Sequence, residues 1–364
     1  MEHTQKKKRS KLKLILKIVG IVLAAIIILP VIALFTARGI NYLRFSLPGG
    51  VREKIYVKLG GVEQFINIRG KNTDNPVIIW LHGGPGSPDT YFTTTFQLKL
   101  EADYTFIRWD QRGCGRTYYK SKDAPLSFDI LLNDLDNLVD YAAERFHQPI
   151  IIVGHSWGTI LGIEYAANHP DKIAGYVGVG QFVNSDESDR LAAETSEKLA
   201  RKAGNEKDAE EIETLYQAGS KAHIGDENFD EKSFFKFRAL STGYLNPNGK
   251  SATMTALLSP DFGWNDLRWE LLIMTNMKEF NAVQKPLYPV LYNFTLPERL
   301  DVPAVFIQGS NDYICATELV EEYQKRLTAP SSDIFVIPGV GHMSMMDDPA
   351  AFGETLKNAL DSVK

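Results

Sequence analysis

Residues 149–168, Pro149-Ile150-Ile151-Ile152-Val153-Gly154-His155-Ser156-Trp157-Gly158-Thr159-Ile160-Leu161-Gly162-Ile163-Glu164-Tyr165-Ala166-Ala167-Asn168, decide how this chain folds. The first five are continuously apolar and rich in β-branched side chains, the pattern of a short strand buried on both faces. From Thr159 to Ala167 the pattern is helical. Gly158, Gly162 and Ala166 recur at i, i+4 and i+8, which makes one helix face small enough to lie close on a sheet. The Gly-x-Ser-x-Gly segment between strand and helix reads as a sharp turn that lifts the Ser156 hydroxyl above the sheet. Glycines flank it because side chains there would clash. The pentapeptide alone is a common pattern, but between these two elements it is specific. A serine in an ordinary strand–helix turn is the weaker reading.

Outward from this turn, strands and helices alternate. Lys54–Leu59 and Val62–Arg69 flank Gly60-Gly61 and read as an antiparallel hairpin. Pro76–Leu81, Tyr104–Trp109, Ile173–Val179, Pro303–Gln308 and Asp333–Ile337 read as short apolar strands. Helices are expected from Ser127, a suitable N-cap, to Phe146, over Thr317–Leu327 and over about Pro349–Ser362. The alternation implies an α/β fold, a mostly parallel sheet with helices on both faces, entered through the hairpin. Residues 181–297 break the rhythm with four helical patterns, Asp189–Lys202, Ala209–Ala222, Glu231–Leu240 and Asn265–Lys278, and no convincing strand. Inserted between two strands, they are expected to form a helical lid over residues 51–180 and 298–364, above the strand ends where Ser156 emerges.

The net charge of −5 divides into +6 over residues 1–17 and −11 over the rest. So acidic a globular part is a poor nucleic-acid binder. Cys114 and Cys315 lack zinc-ligand spacing and make no disulfide framework; packed free thiols are expected. The basic tail leads into Ile18–Phe35, eighteen residues without a charge. With its flanks the segment can cross a bilayer of about 30 Å, which takes about 20 helical residues. A buried core helix is disfavoured because the segment is apolar all round. A cleaved signal peptide is disfavoured because cleavage after Ala37 would put Phe35 where a small residue is wanted. Residues 18–36 are therefore expected to anchor the chain in a lipid bilayer, with residues 37–50 as connector. The positive-inside rule puts the basic tail in the cytoplasm and the globular part outside.

A serine hydroxyl needs an imidazole base, and the imidazole needs an orienting carboxylate. In a sheet of this kind acid and base follow the serine in that order. Gly309-Ser310-Asn311-Asp312 follows one late strand and Pro338-Gly339-Val340-Gly341-His342 follows the next, which puts Asp312 and His342 on the rim that carries Ser156. Singly, Asp312 could be a turn or cap residue and His342 an ordinary loop histidine; together, in this order, they form a triad. A tetrahedral intermediate needs two donors for its oxyanion. The backbone N–H of Trp157 is one, and Gly84, in the loop His82-Gly83-Gly84-Pro85-Gly86, is the expected other. His82 precedes the serine and reads as structural.

The loop His82–Gly86, the segment Asp110-Gln111-Arg112-Gly113-Cys114-Gly115-Arg116-Thr117 and the serine turn together resemble the proline iminopeptidase family of α/β-hydrolase serine aminopeptidases, over about residues 50–180 and 300–364. The resemblance implies release of N-terminal residues, often proline, from short peptides. It implies Ser156, Asp312 and His342 as the triad and Gly84 and Trp157 as the oxyanion hole, with no metal or organic cofactor. It also makes Asp110–Thr117 a structural loop whose arginines sit in ion pairs. Two features depart from the family. The turn begins Gly-His where members often have Gly-Gly, and the lid, whose carboxylates hold the substrate amine in the family, does not align. Trp269-Glu270 resembles a Trp-Glu pair found there, which nominates Glu270 for the amine. An esterase, amidase or lactonase with the same triad, acting on small acyl substrates, stays open. A catalytically silent binding protein would lack a triad member, and a dehalogenase or epoxide hydrolase would carry aspartate in place of Ser156.

Overall fold

A computed structural model describes residues 2–46, 49–92 and 95–364, with side chains from Lys13 onward. Pro48, assigned above to the connector, and the side chains of Lys6, Lys7, Lys8, Arg9 and Lys11 lie outside the described residues. The apolar N-terminal segment is a single helix, α1 (Glu2–Arg44). Its portion Lys13–Arg44 is long and apolar enough to cross a bilayer, a property that membrane anchors and signal sequences share. The helix continues through the first part of the expected connector. No proline interrupts it beyond Pro30, and its last turns are held from outside. Arg38 donates to the carbonyl of Phe262 and Asn41 to that of Leu258 at 3.0 Å.

β1 (Val51–Leu59) and β2 (Val62–Gly70) form the hairpin, with Leu59 opposite Val62. Gly60 and Gly61 turn the corner at φ +51° and +86°, where a side chain would be strained. The chain then runs through β3 (Val77–Leu81), α2 (Gln97–Leu100), β4 (Thr105–Trp109), α3 (Gly115–Lys120), α4 (Phe128–Phe146), β5 (Ile150–His155), α5 (Trp157–Asn168) and β6 (Gly175–Val179). Seven helices follow: α6 (Ser185–Lys202), α7 (Glu206–Gly219), α8 (Glu231–Leu245), α9 (Thr253–Leu258), α10 (Trp264–Thr275), α11 (Met277–Gln284) and α12 (Tyr288–Asn293). β7 (Ala304–Gly309), α13 (Thr317–Arg326), β8 (Ser332–Ile337), α14 (Ser344–Asp347) and α15 (Pro349–Ser362) complete it.

The sheet order is β1-β2-β4-β3-β5-β6-β7-β8, parallel from β4 to β8 with the hairpin antiparallel at one edge. Period-2 alternation sends consecutive side chains to opposite faces. Ile79 and Ile152 meet Leu135, Leu138 and Ile160 of α4 and α5. Trp80 and Ile151 meet Phe96 and Phe352 on the other side. At the start of α4, Ser127 caps as its position predicts, accepting from the Ile130 N–H at 3.3 Å.

Arg112 fastens the loop after β4 to both the hairpin and α4. It donates to Asp134 at 2.7 and 2.8 Å and to the carbonyl of Gly60 at 3.0 Å. Both members of this ion pair are buried. Removing the acid strands a guanidinium away from water, which costs about 3–5 kcal/mol. Asp134→Ala should therefore lower the unfolding free energy from urea titration by that amount. An unfolding free energy within about 1 kcal/mol of the parent, the worth of an exposed pair, would show that the pair contributes no more than a surface contact.

Candidate active site

Ser156 sits between β5 and α5 at φ +53°, ψ −121°, a conformation L-residues seldom adopt. Close packing holds it there. A Cβ on Gly158 would overlap the carbonyl of Leu81, and one on Gly154 would overlap that of Gly158. The Ser156 N–H donates to the carbonyl of Val179 at 3.0 Å, and its own carbonyl accepts from the Thr159 N–H at 2.8 Å. Trp157 opens α5, so its N–H has no acceptor within the helix. Its indole is occupied elsewhere, donating to the Gln111 side chain at 3.1 Å.

Asp312 and His342 leave the C-terminal ends of β7 and β8, where Gly309 lies opposite Ile337. Asp312 is buried and accepts twice through Oδ1, from the N–H groups of Ile314 (3.0 Å) and Cys315 (2.9 Å). Its Oδ2 lies 2.9 Å from His342 Nδ1. An anchored carboxylate on Nδ1 leaves Nε2 as the ring's free nitrogen. Gly180, at φ +55° beyond β6, leaves the space the pair occupies, since a Cβ there would stand 3.0 Å from His342 Cε1.

Two other histidines lie nearby. The His155 ring lies 5.0 Å from that of His342, and burial, reinforced by the neighbouring imidazole, pulls its pKa down to about 4. It is a neutral wall at ordinary pH. His82 is fully buried, which lowers its pKa, and its Nδ1 lies 2.7 Å from the Gly83 carbonyl. Its Nε2 then accepts from the Gln111 N–H at 3.3 Å, so both nitrogens are engaged in loop structure.

The glycine loop after β3 passes directly over the serine. A Cβ on Gly83 would lie 3.3 Å from that of Ser156, and Gly84 adopts φ +128° before a cis bond to Pro85. Trp269 of α10 donates to the Gly86 carbonyl at 2.9 Å and is fully buried, so α10 is fastened to this loop. Arg116 grips the same helix through Asp266 at 2.9 and 3.1 Å and stacks 4.2 Å over the Phe65 ring. Asp110 closes its own loop, accepting from the Arg116 N–H at 2.8 Å and from Thr90 at 2.9 Å.

Glu270 follows Trp269 on α10. Its Oε1 accepts from the Tyr91 hydroxyl at 2.7 Å, and burial raises its carboxyl above the usual range against the pull of that bond. A cavity of about 410 Å³ is lined by Gly84, Tyr91, Ser156, Glu270, His342 and Met346 among others. A second, of about 300 Å³, shares Gly84 and Ser156 and adds Trp157, Phe182, Phe234 and Arg238. Ser156 thus stands between two cavities, and Asp312 sits behind His342. Tyr91 and Arg238 were not legible as site residues, because neither belongs to a motif. Among the described residues no group of three or more His, Cys, Asp or Glu side chains could hold a metal ion.

The family model described as "alpha/beta hydrolase fold" matches residues 76–349. "Probable aminopeptidase YbaC" of Bacillus subtilis is 26% identical over 317 residues, covering 82% of this chain and 93% of that protein. The "Proline iminopeptidase" of Lactobacillus delbrueckii subsp. lactis is 23% identical over 323 residues, covering 84% and 97%. Among solved structures, VinJ superposes with a TM-score of 0.59 at 18% identity over 86% of this chain and 99% of its own. A membrane phospholipase A described as a bacterial virulence factor gives 0.55 at 16% over 98% and 99%. At such identities the structural likeness concerns the fold.

Ser156→Gly removes both the hydroxyl and the penalty of a positive φ, about 1–3 kcal/mol. Hydrolysis should cease while the melting temperature rises; an unchanged or lower melting temperature would show that the turn stores no strain.

Proposed function

The chain belongs to the alpha/beta hydrolase fold family and is a serine hydrolase, and within that family we propose an aminopeptidase that releases N-terminal residues, of the proline type, from short peptides. The observation carrying this reading is the Glu270 carboxylate in the cavity that also holds Ser156 and His342. A half-buried carboxylate facing a cavity favours a cationic group there, and a free N-terminal amine beside the scissile carbonyl is such a group. The curated relatives named as aminopeptidases support the same class.

In this mechanism His342 Nε2 takes the Ser156 proton as the oxygen attacks the first peptide carbonyl. Asp312 holds the ring through Nδ1 and stabilises the imidazolium that forms. The N–H groups of Trp157 and Gly84 receive the oxyanion. Collapse of the intermediate breaks the C–N bond, His342 gives its proton to the departing amine, and the acylated Ser156 remains. Water, deprotonated by His342, then releases the amino acid. Helix α1 tethers the enzyme to a bilayer with its basic end in the cytoplasm and the catalytic part outside.

Apolar Phe92, Met345 and Met346 in the same cavity, together with α1, favour a second reading, an esterase, amidase or lactonase acting on small acyl groups.

Aminoacyl chromogenic amides, their N-acetyl forms and short acyl esters separate the two. The first reading predicts turnover of prolyl or alanyl amides that acetylation abolishes; equal turnover of blocked and free amines would exclude it. Glu270→Gln should raise KM for free-amine substrates about 10–100-fold, the worth of a charged hydrogen bond of about 1.5–3 kcal/mol, and leave esters unaffected. Because the Glu270 pKa is raised, its charge is lost on acidification above the usual carboxylate range. KM for free amines should therefore climb there, and this limb should vanish in the Gln variant.

A further inference from the structure

Helix α10 has two working faces. Asp266, Trp269, Glu270 and Ile273 point inward, to Arg116, to the glycine loop and to the cavity. Trp264, Leu271 and Met274 fall at i, i+7 and i+10 along another stripe and are 69%, 44% and 78% exposed. Met274 stands one turn beyond Glu270, so the stripe borders the cavity. On the neighbouring α9, Met254 is 60% exposed. Helix–solvent faces seldom carry this much large apolar surface without a partner.

What covers this face follows from where α1 ends. The uncharged segment of α1 stops at Phe35, and three residues later Arg38 bonds the Phe262 carbonyl, two residues before Trp264. Asn41 bonds Leu258, the last residue of α9. Strand β1 gives the direction. Arg52 stacks 4.2 Å over Tyr42, near the C-terminal end of α1. Lys54 bonds the Pro260 carbonyl at 3.2 Å and pairs with Asp261 at 2.8 Å, beside the carbonyl that Arg38 holds. Tyr56 lies edge-on to Phe65 with ring centres 5.5 Å apart, and Phe65 carries Arg116, the partner of Asp266 in the first turn of α10. Progress along β1 from Arg52 to Tyr56 thus retraces α1 from Tyr42 past Arg38, back towards its apolar segment. The start of α10 lies at the level where α1 becomes apolar. Tryptophan and methionine at that level suit the boundary between headgroups and acyl chains.

We propose that the outer stripe of α10, with Met254 of α9, rests in the surface of the lipid bilayer, so that the helix carrying Glu270 on its inner side is itself a membrane-contacting element. This rests on reading α1 as a membrane span. The inward contacts then link that surface to the site in one chain of packed groups. Phe262 lies edge-on to Tyr91 with ring centres 5.1 Å apart, and Tyr91 bonds Glu270.

Tryptophan emission tests this on the full chain in phosphatidylcholine–phosphatidylglycerol vesicles. Trp80, Trp109, Trp157 and Trp269 are buried, leaving Trp264 as the exposed tryptophan. Lipids brominated near the headgroup end of the acyl chain should quench the emission of the parent protein, and Trp264→Phe should abolish that quenching. Met274→Asp should weaken it while Trp264 remains. If the chain stays in the vesicles after an alkaline carbonate wash but the parent and Trp264→Phe are quenched equally, the stripe faces water and the proposal falls alone. If the carbonate wash strips the chain from the vesicles, the span reading falls and the proposal with it.

Discussion

Helix α5 can leave the sheet where it does only because Gly154 and Gly158 bring no side chain to the crossing. A methyl group at Gly158 would occupy the place of the Leu81 carbonyl, and a helix displaced outward would let Ser156 relax to an ordinary φ. Close approach and strain are therefore two sides of one constraint. It puts the serine oxygen above the ends of the strands, and it turns the first N–H of α5 towards the same space. Glycine at Gly162 continues the fit, where a Cβ would stand 2.9 Å from the Tyr176 ring. The parallel register of β5 to β8 then delivers the loops carrying Asp312 and His342 to the same edge.

A second layer of interactions holds the surroundings of that edge. The loop after β4 is a brace made of buried charge: Arg112 ties it to α4 and the hairpin, Arg116 ties it to α10, and Asp110 closes it on itself. Buried ion pairs of this kind stabilise little relative to apolar packing, but they specify one arrangement. Here the arrangement fixes the distance between α10 and the glycine loop, which Trp269 also bridges. The position of Glu270 relative to Ser156 is consequently a property of the rigid core rather than of a free lid.

The strands and the serine turn were legible because their patterns are local. A run of β-branched residues bounded by glycine or proline has few alternatives, and all the expected strands appear within about two residues of their expected ends, save β1, which starts three residues early. Helix α3 was not legible, since Gly115–Lys120 is a six-residue helix that begins inside a motif read as a loop. The last turns of α1 were missed for a different reason: Arg38 and Asn41 are satisfied by carbonyls more than two hundred residues away. Of the expected α10 helix, Asn265–Lys278, the structure keeps Trp264–Thr275 and begins a new helix at Met277, because the Asn276 side chain caps it by accepting from the Glu279 N–H. The partnership of Tyr91 with Glu270 joins residues 179 apart in sequence, and no periodicity reports such a contact.

The account turns on Ser156 as the nucleophile that this packing constraint presents. Labelling the full chain with a fluorophosphonate, followed by mapping of the modified peptide, tests it most directly. The account predicts a single stoichiometric adduct on Ser156, formed rapidly in the parent and almost lost in His342→Ala. An adduct on another residue, or labelling of Ser156 that proceeds unchanged without His342, would contradict it.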